Sequence, residues 1–226
     1  MSGNVKKGGV TVPTTERQYI PAAGSDWLLP FYDIFTKLLG VETAHRRLLE
    51  QAAIRPGYRV LEIGCGTGNL TILAKRLYPS ADILGIDPDP QALSRAREKA
   101  HRAGLFIEFH QAFSEQLSFS DASFDRVLSA FMFHHIQPAS KLPALRQICR
   151  VLKPGGSLHL VDFQEGEHPR GGHLAFVPHP HKESRFHYAI PHLLREAGFA
   201  DPTEVAHQAT IIGRIAYYIA IRPPVA

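Results

Sequence analysis

A strand-like run that breaks into a glycine-paced loop, Val60-Leu61-Glu62-Ile63-Gly64-Cys65-Gly66-Thr67-Gly68, constrains this chain more than any other stretch. Apolar residues run straight into glycines, and a helical pattern follows at once. A strand that ends this way turns and feeds a helix back across its own sheet. Glycine has no side chain and tolerates positive φ, so the backbone of such a turn lets a ligand approach closely. The spacing is Gly-x-Gly-x-Gly. A dinucleotide fingerprint needs Gly-x-Gly-x-x-Gly, and its third glycine falls here on Asn69. Another kind of nucleotide loop and a plain tight turn both remain open on this stretch alone.

The pattern after the loop alternates. Strands are expected at Arg59–Ile63, Ile83–Asp87, Leu105–His110, Asp125–Ala130 and Ser157–Asp162, with helices between them. Asp89-Pro90 supplies an N-cap and a first-turn proline for the helix carrying Leu93, Ala96 and Ala100, and Gly104 closes it. A further helix runs to Leu152, and Lys153-Pro154-Gly155-Gly156 reads as a turn. Alternation of this kind predicts an α/β fold with parallel βαβ units, helices on both faces of the sheet. Tyr188 to Gly198 is again helical, and two last strands are expected at Thr203–Gln208 and Ile215–Ile221, which makes seven. Residues 1–18 read as a flexible tail. Residues 19–226 read as one domain, with helical patterns at Phe31 to Leu39 and Glu42 to Ala53 forming an N-terminal helical lid over 19–55, and a Gly-, Pro- and His-rich loop or cap insertion at 165–186.

Composition excludes several classes. The 226 residues suffice for one domain with a real core, and the formal net charge of +4 is small and dispersed, so no nucleic-acid footprint is expected. The two cysteines, Cys65 and Cys149, read as free thiols in a reducing compartment. Residues 1–15 are polar and lack the apolar stretch of a signal peptide, and no uncharged apolar run approaches a membrane span. A cytoplasmic, soluble protein, monomer or homodimer, is the expectation.

In an open α/β sheet, ligands sit beyond the carboxyl ends of the strands. The glycine loop, Asp87 in Leu84-Gly85-Ile86-Asp87-Pro88 and Asp162 all fall on that edge. Asp87, ending the second strand, is placed to accept hydrogen bonds from two ribose hydroxyls, and Asp89 already suits the N-cap role that would otherwise explain it. Four segments follow one another in order: the loop, Asp87, Gln111 through Asp125, and Ser129–Ile136 followed by Leu152-Lys153-Pro154-Gly155-Gly156. Together they resemble the class I S-adenosylmethionine-dependent methyltransferases, in particular the ubiquinone/menaquinone C-methyltransferase-like group (methyltransferase domain 11/25 type), over about Gly57 to Asp162.

The resemblance implies a Rossmann-like, seven-stranded, mostly parallel sheet that binds S-adenosyl-L-methionine. It places cofactor contacts at Glu62, Gly64, Cys65, Gly66, Thr67, Gly68 and Asn69, at Asp87 and Pro88, at Ala112 and Phe113, and at Ser129. Loop amides from Gly66 to Asn69 would receive the donor's carboxylate, and Glu62 would help hold its ammonium. The group often sets an acidic residue against the adenine amine. Here Phe113 occupies that position, so backbone atoms, Gln111 or the Phe113 ring would substitute. Glu115 reads as a structural carboxylate.

Methyl transfer from a sulfonium rests on alignment and exclusion of water, with a general base where an oxygen or nitrogen is the nucleophile. His134 and His135 follow the fourth strand and are the candidates for that base; polar packing is the competing explanation. Tyr19, Trp27, Phe31, Tyr32 and His187 are candidates for the acceptor mouth, against plain packing of the N-terminal helices. If they cover the acceptor, it is a small aromatic or lipophilic molecule. His168, His173, His179, His181, His187 and His192 are irregularly spaced and give no metal-ligand motif, so no metal is expected. Methyl transfer to a small-molecule oxygen, carbon or nitrogen leads these readings. Protein or RNA methylation, and a cofactor-binding module without catalysis, are the alternatives.

Overall fold

The computed structural model describes residues 41–164, 190–210 and 213–224. Helix α1 (Val41–Ala52) precedes strand β1 (Arg59–Ile63), α2 (Asn69–Leu77) leads to β2 (Asp82–Asp87), and α3 (Pro90–Arg102) leads to β3 (Glu108–Gln111). Strand β4 (Phe124–Ala130) exits into a single 3-10 turn at Phe133–His135, followed by α4 (Pro138–Val151) and β5 (Leu152–Phe163). Helix α5 (Ile190–Glu196) and strands β6 (Ala200–Thr210) and β7 (Gly213–Ile221) complete the set.

The strands form one seven-stranded sheet in the order β3-β2-β1-β4-β5-β7-β6. β1 through β5 run parallel, and β7 inserts antiparallel to both β5 and β6. Strand order therefore reverses between β1 and β4, the switch point at which such sheets open a crevice. The Rossmann-like, mostly parallel fold read from the sequence is the observed one.

Period-2 alternation on buried strands serves two faces. On one, Leu61, Leu84, Phe124 and Leu158 pack against Leu145 and Ile148 of α4 and Leu193 and Leu194 of α5. On the other, Val60, Leu128, Val161 and Tyr217 pack against Leu48 and Leu49 of α1 and Leu70 and Ala74 of α2. Helix α3 buries Leu93, Ala96 and Ala100 against Ile72 and Phe109. Its N-terminus is as read: Asp89 accepts from the Gln91 amide at 2.8 Å, with Pro90 in the first turn.

Several boundaries shift, each for a local reason. Helix α2 starts at Asn69, directly after the glycine loop, because Gly68 stands at φ 79 and breaks the helical geometry. Strand β3 starts at Glu108 rather than Leu105, since the Leu105 amide still closes α3 on the Ala100 carbonyl at 3.0 Å. Lys153 to Gly156 belongs to an irregular start of β5, where the register against β4 slips between Phe124 and Arg126. This start is held from both sides. The Gly155 amide donates to the Arg222 carbonyl at 2.9 Å and the Arg222 amide to the Gly156 carbonyl at 2.8 Å. Lys153 Nζ bridges both oxygens of Asp125 at 2.9 and 2.8 Å, while Asp125 Oδ2 also accepts the Arg59 amide at 2.8 Å. Asp125 and Lys153 thus tie the starts of β1, β4 and β5 together.

The 1–18 tail, the Phe31 to Leu39 helix, most of the N-terminal lid and the 165–186 insertion lie outside the described residues. So do Tyr19, Trp27, Phe31, Tyr32 and His187.

Candidate active site

At the carboxyl edge of β1, β2 and β4 the chain encloses a cavity of about 570 Å³. One end is built by the glycine loop, by Asp87, Pro88 and Asp89 after β2, and by Ala112 to Gln116 after β3. The other is built by Ala130, Phe131 and Met132 after β4, by His135 to Gln137, and by Val41 and His45 of α1. Parallel neighbours with aligned ends bring these segments together: Ile63 pairs with Ile86 and Ser129, and Asp87 with Gln111.

The loop is close-packed. Gly64 stands at φ 70, and a Cβ there would lie 2.1 Å from Met132 Cγ, so only glycine lets the β1 exit approach the β4 exit. Gly68 does not line the cavity; it permits close packing of α2 on Ala96 and Phe109. Two loop amides expected to receive an anion are committed internally. Gly66 N–H donates to Asp87 Oδ2 at 2.8 Å, and Gly68 N–H to the Cys65 carbonyl at 2.8 Å. Lys99 of α3 adds a brace, its Nζ reaching Asn69 Oδ1 at 2.6 Å and Thr67 Oγ1 at 3.1 Å.

Asp87 is placed as the sequence suggests. Its Oδ2 takes the Gly66 amide and its Oδ1 the Asp89 amide at 2.9 Å, so each oxygen of this cavity-lining residue keeps further acceptor capacity. Burial raises its carboxyl above the usual range, against those two hydrogen bonds. Glu62, only 3% exposed, accepts from the Thr71 hydroxyl and faces the same space. Burial lifts its carboxyl from 4.5 to about 8; the Thr71 bond opposes this and the nearby Asp87 adds to it. The Cys65 thiol is pushed well up by burial and by these two acids, so Cys65 lines the wall as a thiol. Ala112 hangs from the Asp87 carbonyl by its amide at 3.2 Å, and Phe113 and Glu115 line the space beside it.

The histidine pair divides. His134 does not line the cavity. Its Nδ1 lies 2.6 Å from Asp162 Oδ1, and its amide donates to Asp162 Oδ2 at 3.1 Å. Asp162 is 2% exposed and also takes the Phe163 amide at 2.7 Å. His135 lines the cavity and stacks on His134, ring centroids 3.9 Å apart. Ser129, expected at the cofactor, is buried within β4 away from the cavity. The sequence reading missed His45. It lies on the buried stripe of α1 with Val41, Ala44, Leu48, Leu49 and Ala52, and that three-to-four spacing is the signal that marks it as inward. Of the irregular histidine group only His192 is described, exposed on α5.

The residues suit a nucleoside bearing an amino-acid tail. Asp87 offers two acceptors to vicinal hydroxyls, Glu62 offers a buried carboxyl to a cation, and Pro88, Ala92 and Phe113 offer an apolar slot. Asp89 Oδ2 is buried beside that slot without a hydrogen-bond partner among the described residues.

Residues 60–156 match the family model described as a methyltransferase domain. That match runs from β1 to the start of β5. Demethylmenaquinone methyltransferase of Thermus thermophilus is 36% identical to this chain over 139 residues, 60% of this chain and 62% of that protein. The ubiquinone/menaquinone biosynthesis C-methyltransferase of Hahella chejuensis is 35% identical over 164 residues, 70% of this chain and 65% of that one. The chain thus spans less than two thirds of the length of these curated relatives. A crystal structure of a SAM dependent methyltransferase from Aquifex aeolicus superposes with a TM-score of 0.60 at 21% identity, covering 78% of this chain and 88% of that one, a likeness of fold. Within the matched segment, the loop, Asp87 and the β4 exit line one cavity.

Proposed function

We propose that this chain transfers a methyl group from S-adenosylmethionine to a small-molecule acceptor. The observation that carries the reading is the single cavity joining Asp87 and Glu62 to His135. When bound, the cofactor supplies an electrophilic methyl on a cationic sulfur. Asp87 holds the ribose through the lone pairs its backbone bonds leave open, and Phe113 and Pro88 cover the purine. Glu62 receives the ammonium, and a cation there draws off the proton that burial now keeps on its carboxyl. His135 takes the acceptor's proton on a ring nitrogen, held in place by its stack on the Asp162-anchored His134. Phe131, Met132 and Ile136 keep water from the reacting end, where a preorganised polar site acts most strongly.

The relatives' names favour a quinol-type acceptor methylated at carbon, and the apolar lining at Phe131, Met132 and Ile136 agrees with one. In the expected experiment the protein binds S-adenosylhomocysteine by calorimetry and consumes donor with a hydroxyaromatic or quinol from a panel that also holds thiols and amines, mass analysis locating the methyl. Cofactor binding with no turnover across that panel would favour the binding-module alternative.

A further inference from the structure

On α1 the apolar stripe changes character along its length. Ala44, Leu48, Leu49 and Ala52 belong to the core, whereas Val41 and His45 line the cavity. His45 is 8% exposed, and burial lowers its imidazole to about 4, with the charge of Glu42 opposing weakly. That carboxylate is itself engaged by Arg46 at 2.8 Å. An imidazole kept uncharged in this way presents one donor and one acceptor to whatever fills the cavity.

His45 also begins a continuous series of ring contacts. Its ring lies 6.1 Å from Phe131, Phe131 lies 5.5 Å from Phe163, Phe163 lies 5.1 Å from His134, and His134 lies 3.9 Å from His135. The series starts and ends on an imidazole that lines the cavity, and Phe131 lines it as well. Phe131 holds a φ of 55, a left-handed geometry that a non-glycine residue adopts at a cost, and its amide is pinned to the Val161 carbonyl at 2.9 Å. Its ring sits between Phe163 of β5 and His45 of α1 and lines the cavity, so a planar ligand has an aromatic surface to lie against.

We propose that His45 is an acceptor-positioning residue: its imidazole hydrogen-bonds a hydroxyl of a planar hydroxyaromatic acceptor that lies against Phe131, while His135 serves the reacting end. This rests on the methyl-transfer reading above. It adds a residue from outside the four matching segments and a chemical reason for acceptor choice.

The test titrates 2-naphthol and 2-methoxynaphthalene into the full chain saturated with S-adenosylhomocysteine, for wild type, His45→Phe and His45→Gln. Phenylalanine keeps the ring packing on Phe131 and removes both polar atoms; glutamine restores a donor and an acceptor. The expected result is a loss of about tenfold in 2-naphthol affinity for His45→Phe, the worth of roughly one hydrogen bond. His45→Gln recovers part of it, 2-methoxynaphthalene is insensitive to both changes, and S-adenosylhomocysteine affinity stays within about twofold. Equal losses for the two naphthalenes, a parallel loss of S-adenosylhomocysteine affinity, or no 2-naphthol binding to the wild-type complex each overturn the proposal. Failure of the wild type to bind S-adenosylhomocysteine overturns instead the methyl-transfer reading on which it stands.

Discussion

Asp87→Asn is the sharpest perturbation of the proposed donor site, because both oxygens of the native side chain are already fixed. Oδ2 accepts Gly66 N–H at 2.8 Å and Oδ1 accepts Asp89 N–H at 2.9 Å. An asparagine has one oxygen, so its NH2 must face one of those two donors. That leaves a backbone donor unpaired, at a cost of about 1–3 kcal/mol that is shared by the free and bound protein. Affinity suffers separately. Two charge-assisted bonds to ribose hydroxyls, each worth about 1.5–3 kcal/mol, become at most one neutral bond. A net loss of about 3 kcal/mol raises Kd roughly a hundredfold or more. Calorimetry with S-adenosylhomocysteine should be run on the alkaline side of neutrality, because burial raises the Asp87 carboxyl and acid would weaken the wild type as well. Adenosine, which carries the same ribose, should lose affinity by a similar factor. A Kd within about threefold of wild type for both ligands would refute the ribose assignment.

Three other outcomes are expected. Between pH 4.5 and about 8, Glu62 holds a proton in the folded donor-free protein that the unfolded chain releases, so its contribution to stability falls as pH rises through that window. The slope is up to about 1.4 kcal/mol per pH unit, and Glu62→Gln should remove it in urea melts taken across the window; unchanged slopes refute the protonated carboxyl. Gly64→Ala pays for a left-handed backbone, about 1–2 kcal/mol, and also for the 2.1 Å approach to Met132, whereas Gly57→Ala meets the backbone cost alone, since its added Cβ has nothing within 4 Å. Equal midpoint shifts for the two variants would show that the β1–β4 approach is not tight. Asp162→Asn should lower turnover by tenfold or more while S-adenosylhomocysteine affinity stays within about threefold, because it loosens the His134–His135 stack and leaves the donor end alone; a matching fall in affinity would place Asp162 in donor binding.

Much of this was legible from local chemistry. The β1 loop, the Asp87 position and the Asp89 cap are each decided by residues within a few positions of one another, and the structure shows them so placed. What escaped depends on which way a side chain points after the chain has folded. His134 and His135 are identical neighbours in sequence, and only the 3-10 turn at Phe133–His135 turns one to Asp162 and the other to the cavity. Gly66 and Gly68 amides looked available until the carboxylate and the carbonyl that take them were seen. Ser129 sits at a site-facing strand end, yet side chains alternate, and its turn falls inward. His45 required knowing that the N-terminal end of α1 runs past the core to the cavity.

Strand β5 carries Asp162 on its last residues, and among the described residues its outer edge pairs with β7. During synthesis, Gly213 follows Phe163 by 50 positions, so at common translation rates the ribosome takes roughly 3–10 seconds to reach the covering strand. Throughout that interval every described cavity residue has been made, but β5, buried from Gly156 to Asp162 in the finished sheet, presents an unpaired edge, the kind that recruits other chains. The order of strands therefore sets a hazard in time: the nascent site is complete in content well before it is protected, and the chain's commitment to its native sheet waits on a non-local antiparallel closure.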